Sequence, residues 1–384
     1  MGTAESEEDQ MIRIQEVQLR EIRLPLVHYF ETSFGRTLER KIILVTVRTV
    51  DAAGYGECTA GEEPGYSSET TETAWHILSD FAIASVIGKD LENARAVAPL
   101  LKPIRGNPMA RATIETAVWD LESRILGIPL HKHLGGVRDE IPCGVSIGIQ
   151  DNVDTLLRKV RLELAAGYRR IKIKIKPGWE VEPLARIRDE FPQVPLMVDA
   201  NSAFSLADLP LLRQLDRFRL MMIEQPLAYD DIVDHAILQK ELSTPICLDE
   251  SIHSAEDARK AIEMGSCRII NVKLGRVGGF CEALKINDYC TRNRVPVWCG
   301  GMLESGVGRA HNIAMSSLPA FTLPGDVSAS KRYYEEDTVR PPVNVTPQGT
   351  IRLPHAPGIG YEPDWERIER ATVRTRGFHA GEEA

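Results

Sequence analysis

No apolar run in the 384 residues approaches the roughly 18 needed to cross a bilayer, which excludes a membrane-spanning helix. The opening stretch, Met1 to Gln10, is acidic and has no apolar signal-peptide core, so a cytoplasmic address is expected. Positive charge is in deficit. Lys and Arg number 46 against 55 Asp and Glu, a net charge of −9, which argues against nucleic acid and anionic membranes as partners and favours a small molecule. The seven cysteines, an odd number, show no CxxC spacing, so neither a disulfide framework nor a zinc ribbon is indicated. Cys299, at a Gly-rich strand end, reads as packing rather than as a nucleophile. The histidines, His253 and His311 among them, lack ligand spacing. What is present, 43% hydrophobic and 26% charged residues, is the composition of a folded globular chain rather than a disordered or fibrous one.

From Pro142 onward, short runs rich in Val, Ile and Leu recur: Cys143–Ile149, Ile171–Ile175, Leu196–Val198, Leu220–Ile223, Ile246–Leu248, Ile269–Leu274, Pro296–Cys299 and Phe321–Leu323. Continuous apolar runs of this length suit parallel strands buried on both faces. Amphipathic stretches separate them. Leu157, Val160 and Leu164 share a face before Gly167, and Ser254-Ala-Glu-Asp257 opens a helix that Gly265 closes. The alternation specifies right-handed βαβ units closing into an α/β fold, a modified TIM barrel, with chemistry at the C-terminal strand ends.

Residues 1–135 read differently. Ile12–Glu21 and Ile42–Val47 suggest antiparallel strands around a loop His28–Gly35, followed by a helical pattern over Ala110–Leu126, together an α+β capping domain with an acidic disordered tail at 1–10. The barrel is expected over 136–335. The segment 336–384 lacks an eighth helix and is expected to return to the capping domain, with Thr350–Leu353 as the returning strand. His379–Ala384 reads as a solvated end.

The chemistry lies in a period. Lys174, Asp199, Glu224 and Asp249 follow one another at intervals of 25, and Lys273 comes 24 later. If each βα unit is about 25 residues long, these side chains sit at equivalent strand ends and converge on one pocket. Three carboxylates without histidine make a hard, oxygen-only site suited to Mg2+, with Mn2+ as the alternative. Ion pairing for stability alone would need fewer of them. Lys174 and Lys273 flank the carboxylate arc and put an amine on each face of a carboxylate substrate. Lys172 and the metal would lower the basicity of Lys174; Arg276 and the metal would do so for Lys273. Such a site removes the proton α to a carboxylate. Return of a proton to the opposite face gives racemisation, and departure of a β-hydroxyl gives dehydration.

These residues resemble the enolase superfamily, in its muconate-lactonising subgroup, over nearly the whole chain. The pattern stands as Lys172-Ile-Lys174, Asp199-Ala-Asn201, Glu224-Gln-Pro226, Asp249-Glu-Ser251 and Lys273, preceded by Ala110–Asp120 and Gly127-Ile-Pro129. No histidine stands in Val297–Gly301, which disfavours a mandelate-racemase-like base, and Leu323–Ser330 lacks the Asp-x-Asp of dipeptide epimerases. A narrower likeness is carried by Thr32–Gly35, Tyr66–Glu69, Pro142–Gly148, Pro177–Trp179, Gly275–Gly279, Pro296–Met302 and Phe321–Asp326. It is to the family of o-succinylbenzoate synthases that often also act as N-succinylamino acid racemases. That resemblance implies a (β/α)7β barrel under a capping domain, a homo-oligomer, and dehydration of a cyclohexadiene carboxylate in menaquinone synthesis. It further implies that Lys174 is the general base and then the acid, that Lys273 is the opposite-face acid/base, and that Asp199, Glu224 and Asp249 hold Mg2+. The substrate-binding set it implies is Lys172, Asn201, Ser146, Arg276, Gly301, Met302 and Leu303. A dedicated racemase and a catalytically silent metal-binding barrel are the alternatives. Tyr29 and Leu274 stand where the family usually has proline.

Overall fold

Strand alternation shapes both halves of the molecule, but pairing runs antiparallel in one and parallel in the other. The computed structural model describes residues 11–33 and 35–381. The expected acidic tail at 1–10 lies outside the described residues, as do Phe34 and residues 382–384.

In the capping part, β1 (Glu16–Glu31), β2 (Arg36–Arg48) and β3 (Ala53–Cys58) form an antiparallel sheet. The C-terminal strand Thr372–His379 pairs with the outer edge of β1. His379 therefore belongs to a strand, opposite Glu16, while remaining exposed to solvent. The loop expected over His28–Gly35 is shorter than the sequence suggested. Pairing breaks after Pro25, which has no N–H to donate, then resumes at Phe30 with Thr37 and Glu31 with Arg36. Helix α1 (Pro108–Ile125) lies against this sheet, and glycine is required at the contact. A Cβ on Gly54 would sit 2.2 Å from the Ala117 carbonyl, and one on Gly56 2.2 Å from that of Thr113.

The barrel follows a short strand, β4 (Glu140–Pro142). Seven parallel strands run in sequential order: β5 (Gly144–Ile147), β6 (Arg170–Lys174), β7 (Leu196–Asp199), β8 (Ile223–Glu224), β9 (Ile246–Leu248), β10 (Ile269–Val272) and β11 (Val297–Cys299). Each is followed by a helix: α2 (Val153–Ala165), α3 (Val181–Glu190), α4 (Leu209–Leu215), α5 (Val233–Glu241), α6 (Ala255–Met264), α7 (Phe280–Asn293) and α8 (Gly306–Met315). Ser254 caps α6 through the Asp257 N–H, and Gly265 ends it in the left-handed region at φ 72°.

The eighth apolar run, Phe321–Leu323, does not extend into a strand. Parallel bridges Val297 to Phe321 and Cys143 to Gly325 close the ring instead. Pro319 and Pro324 flank it, and neither can donate to a ladder. Thr350–Leu353 also departs from expectation. Its strand, Thr350–Arg352, pairs antiparallel with β4, just before the first barrel strand, and not with the capping sheet. Three residues of apolar pattern name a strand but not its partner. Inside the barrel, Met197, Met222, Cys247, Ile269 and Trp298 pack as a separate apolar layer, which makes Trp298 part of the barrel core.

Candidate active site

Register does what the 25-residue period predicted. Lys174 pairs with Asp199 and Asp199 with Glu224 across neighbouring strands, so their side chains leave the sheet at one level. Asp249 lies just past β9 and Lys273 just past β10. One carboxylate oxygen from each of Asp199, Glu224 and Asp249 falls within 4.8 Å of the others, and all three residues are buried.

The cluster is built as an ion lattice. Lys174 Nζ donates to Asp199 Oδ2 at 2.5 Å and to Asn201 Oδ1 at 2.6 Å. Lys172 bridges Asp199 (3.0 Å), Glu224 (2.9 Å) and Asp326 (2.7 Å). Across the mouth, Lys273 pairs with Asp249 at 2.8 Å and donates to the Tyr66 hydroxyl at 3.0 Å. Arg276 also pairs with Asp249, and its remaining donors reach the carbonyls of Ile252 and Asn271. Asn201 donates to Glu250 at 2.9 Å, extending the chain from Lys174 toward the second lysine. Ser33, from the capping hairpin, donates to the Asn201 carbonyl at 3.1 Å, so the cap touches the site directly.

Formal charge balances here. Arg170, Lys172, Lys174, Lys273 and Arg276 face Asp199, Glu224, Asp249, Glu250 and Asp326. A divalent cation would leave two positive charges over, which matches a substrate carboxylate that becomes a dianion when its α-proton leaves. With three buried oxygen donors inside 4.8 Å and no nitrogen or sulfur among them, the set fits a hard divalent cation.

The two lysines differ. Burial lowers the proton affinity of Lys174, and the nearby ammonium groups of Lys172 and Lys273 act in the same sense, against Asp199. For Lys273 burial also pulls down, but Tyr66, Glu250 and Glu224 outweigh it and hold the amine above its ordinary value. The expectation for Lys273 paired Arg276 with the metal; Arg276 is engaged by Asp249 and two carbonyls, and among the protein's own groups the anions beside Lys273 prevail. Asp199 is held well below the carboxylate range, because Lys174 and Lys172 more than offset its burial.

Of the expected substrate residues, Lys172 and Asn201 lie in this lattice. Ser146 stands beside Lys172 in register, and its Oγ is buried without a hydrogen-bond partner among the described residues. Gly301, Met302 and Leu303 form a half-buried turn after β11, with Leu303 at φ 58°. Arg276 is in the cluster, yet its guanidinium is directed to protein acceptors. Tyr66, Asn271, Glu250 and Asp326 were not predicted as site residues, although Tyr66, Glu250 and Asp326 lie within the motifs that carry the family resemblance; off the 25-residue period, they carried no signal of their own. Cys299 is buried and its thiol is pushed up by burial, consistent with packing. Tyr29 packs its ring under the Arg36 guanidinium at 4.0 Å.

Residues 14–135 match the mandelate racemase / muconate lactonizing enzyme N-terminal domain, and residues 155–367 match the enolase C-terminal domain-like family. An o-succinylbenzoate synthase from Geobacillus kaustophilus is 53% identical over 369 residues, covering 96% of this chain and 98% of that protein. An N-succinylamino acid racemase from Thermus thermophilus is 48% identical, covering 96% and 100%. A crystal structure of an enolase superfamily member from Listeria innocua superposes with a TM-score of 0.93 at 41% identity, covering 97% of this chain and 100% of that one.

Proposed function

The chain belongs to the enolase superfamily, in its mandelate racemase / muconate lactonizing branch, and from that premise we propose that it is an o-succinylbenzoate synthase that also racemises N-succinylamino acids in the same site. The observation that carries this reading is the opposition of Lys174, on Asp199, and Lys273, on Asp249, across three clustered carboxylates. Relatives near 50% identity over their full length bear both names.

Asp199, Glu224 and Asp249 would hold Mg2+, which when bound supplies positive charge against the enediolate that forms as the α-proton leaves. Lys174 removes that proton; its lowered proton affinity makes the neutral amine more available. In dehydration, the resulting Lys174 ammonium returns a proton to the departing β-hydroxyl, so water leaves and the cyclohexadiene ring becomes aromatic. Lys273, held protonated, stabilises the developing anion from the other face. In racemisation, Lys273 gives its proton to the opposite face, and the roles reverse for the other enantiomer. Lys172 and Asn201 orient the carboxylate. Ser146 Oγ and the turn Gly301–Leu303 face the remainder of the substrate.

A second reading, a racemase whose synthase activity is incidental, is favoured by the 48% match to the Thermus thermophilus racemase and uses the same residues. The test is Mg2+-dependent turnover of 2-succinyl-6-hydroxy-2,4-cyclohexadiene-1-carboxylate and of N-succinyl-L-phenylalanine, with α-proton exchange followed in D2O. Wild type is expected to turn over both, and Lys174→Ala and Lys273→Ala each to lower racemisation about 10²- to 10⁴-fold. The ratio of efficiencies ranks synthase against racemase. A wild type with neither turnover nor exchange refutes the reading.

A further inference from the structure

The turn Gly301–Ser305 is held from outside the barrel. Glu57, the penultimate residue of β3 in the capping sheet, reaches across to it. Its Oε1 accepts the Ser305 N–H at 2.9 Å, and its Oε2 accepts the Ser305 hydroxyl at 2.6 Å and the Gly308 N–H at 2.8 Å. Glycine at 308 permits this approach, since a Cβ there would lie 2.9 Å from the Glu57 carboxyl carbon. Glu57 stands on a rigid base, because β3 is fixed to α1 at Gly54 and Gly56 without room for side chains.

The rest of the turn has matching supports. Glu304 Oε1 accepts the Met302 N–H and the Asn312 side chain, each at 2.9 Å. Tyr334 donates to the Leu303 carbonyl at 2.6 Å. Leu303 sits in the left-handed region, a conformation that a branched side chain keeps only where its surroundings enforce it. Releasing Ser305 removes one of those constraints and lets Leu303 and Met302 move together.

We propose that Glu57 is a positioning residue for substrate preference: from the capping domain, it sets the turn whose Met302 and Leu303 face the acyl and side-chain portions of the substrate. This rests on the function proposed above. Glu57 touches neither the lysines nor the carboxylate cluster, so its loss should alter how substrates fit and leave proton abstraction intact. The expected signature is a change in KM that differs between substrates, with little change in kcat.

The experiment uses the full chain with Mg2+ and compares wild type with Glu57→Gln, which keeps the size and loses one acceptor, and with Glu57→Ala. Amide hydrogen exchange at residues 301–308 is expected to rise about tenfold in Glu57→Gln, while β7 to β10 are unaffected. The ratio of kcat/KM for N-succinyl-L-phenylalanine to that for N-succinyl-L-alanine is expected to shift about fivefold through KM. Unchanged exchange in the turn overturns the proposal, as does an unchanged ratio in an active, folded variant or an equal loss of kcat on both substrates. A wild type inert toward both compounds defeats the functional reading instead, and the exchange measurement still decides whether Glu57 holds the turn. If Glu57→Ala fails to fold, Glu57→Gln alone decides the outcome.

Discussion

Asp326, at the barrel mouth, and Glu57, at the joint between cap and barrel, are equally hidden, each 7% exposed, yet their carboxyl groups respond in opposite directions. Burial works against both charges. At Asp326 the ammonium of Lys172 and the guanidinium of Arg170, each 2.7 Å away, overcome it and hold the group down at about 2. At Glu57 the support comes from hydrogen bonds of Ser305 and Gly308, with Glu304 adding like charge, and burial lifts the group to about 7. Neutral donors satisfy the geometry of a buried carboxylate without offsetting its desolvation. The molecule thus uses two constructions: ion pairs where charge must persist for chemistry, and hydrogen bonds where only position matters.

The comparison breaks first at its charged end. Asp326→Asn leaves Arg170 and part of Lys172 uncompensated in the interior, and loss of one partner from a buried pair typically costs about 3 kcal/mol or more. Urea unfolding of wild type and variant should show a gap of about that size. The gap should be the same at pH 5 and pH 8, because a group with its folded value lowered to about 2 contributes fully above its unfolded value and loses that contribution only in stronger acid. A gap below about 1 kcal/mol would mean that the lattice redistributes its charges and that the pairing is not what holds Asp326 ionised.

The joint should behave in the other way. With its folded value raised from 4.5 to about 7, Glu57 is least costly below the unfolded value, and wild type loses stability as pH rises through the folded one. Relative to Glu57→Gln, wild type should therefore weaken by about 2 kcal/mol between pH 5 and pH 8. His311, which lines a small cavity together with Glu57, has its folded value lowered to about 3 and is common to both proteins, so it cancels in the difference. A difference that does not vary with pH would show Glu57 to be charge-compensated after all.

The same contrast explains what could be read in advance. Lys174, Asp199, Glu224, Asp249 and Lys273 were legible because one side chain per βα unit repeats a position, and repetition is visible in sequence. Asp326 and Tyr66 belong to the same lattice but follow no period; only the folded ring brings them to Lys172 and Lys273. The barrel was legible from its apolar runs, whereas its last closure was not, because single bridges flanked by prolines leave no ladder to predict. Glu57 gave one faint sign. Gly54-Tyr-Gly-Glu57 places glycine at alternate strand positions, which marks close approach of another backbone, and a carboxylate on such a fixed strand is a rigid arm.

The smallest expected effect separates charge from geometry at the joint. Gly308→Ala keeps every charged group but puts a Cβ 2.9 Å from the Glu57 carboxyl carbon and 3.0 Å from the Glu304 Cβ. Alanine in a helix gains up to about 1 kcal/mol over glycine, while overpacking a filled contact costs about 1–3 kcal/mol. A net loss of about 1 kcal/mol is expected in urea unfolding. Because Glu57 keeps its carboxyl, the pH dependence of the variant should follow that of wild type, and its substrate ratio should move as in Glu57→Gln. A more stable Gly308→Ala protein with wild-type preference would show that the turn has slack. In that event the three hydrogen bonds of Glu57 would tether α8 without fixing where Met302 and Leu303 point.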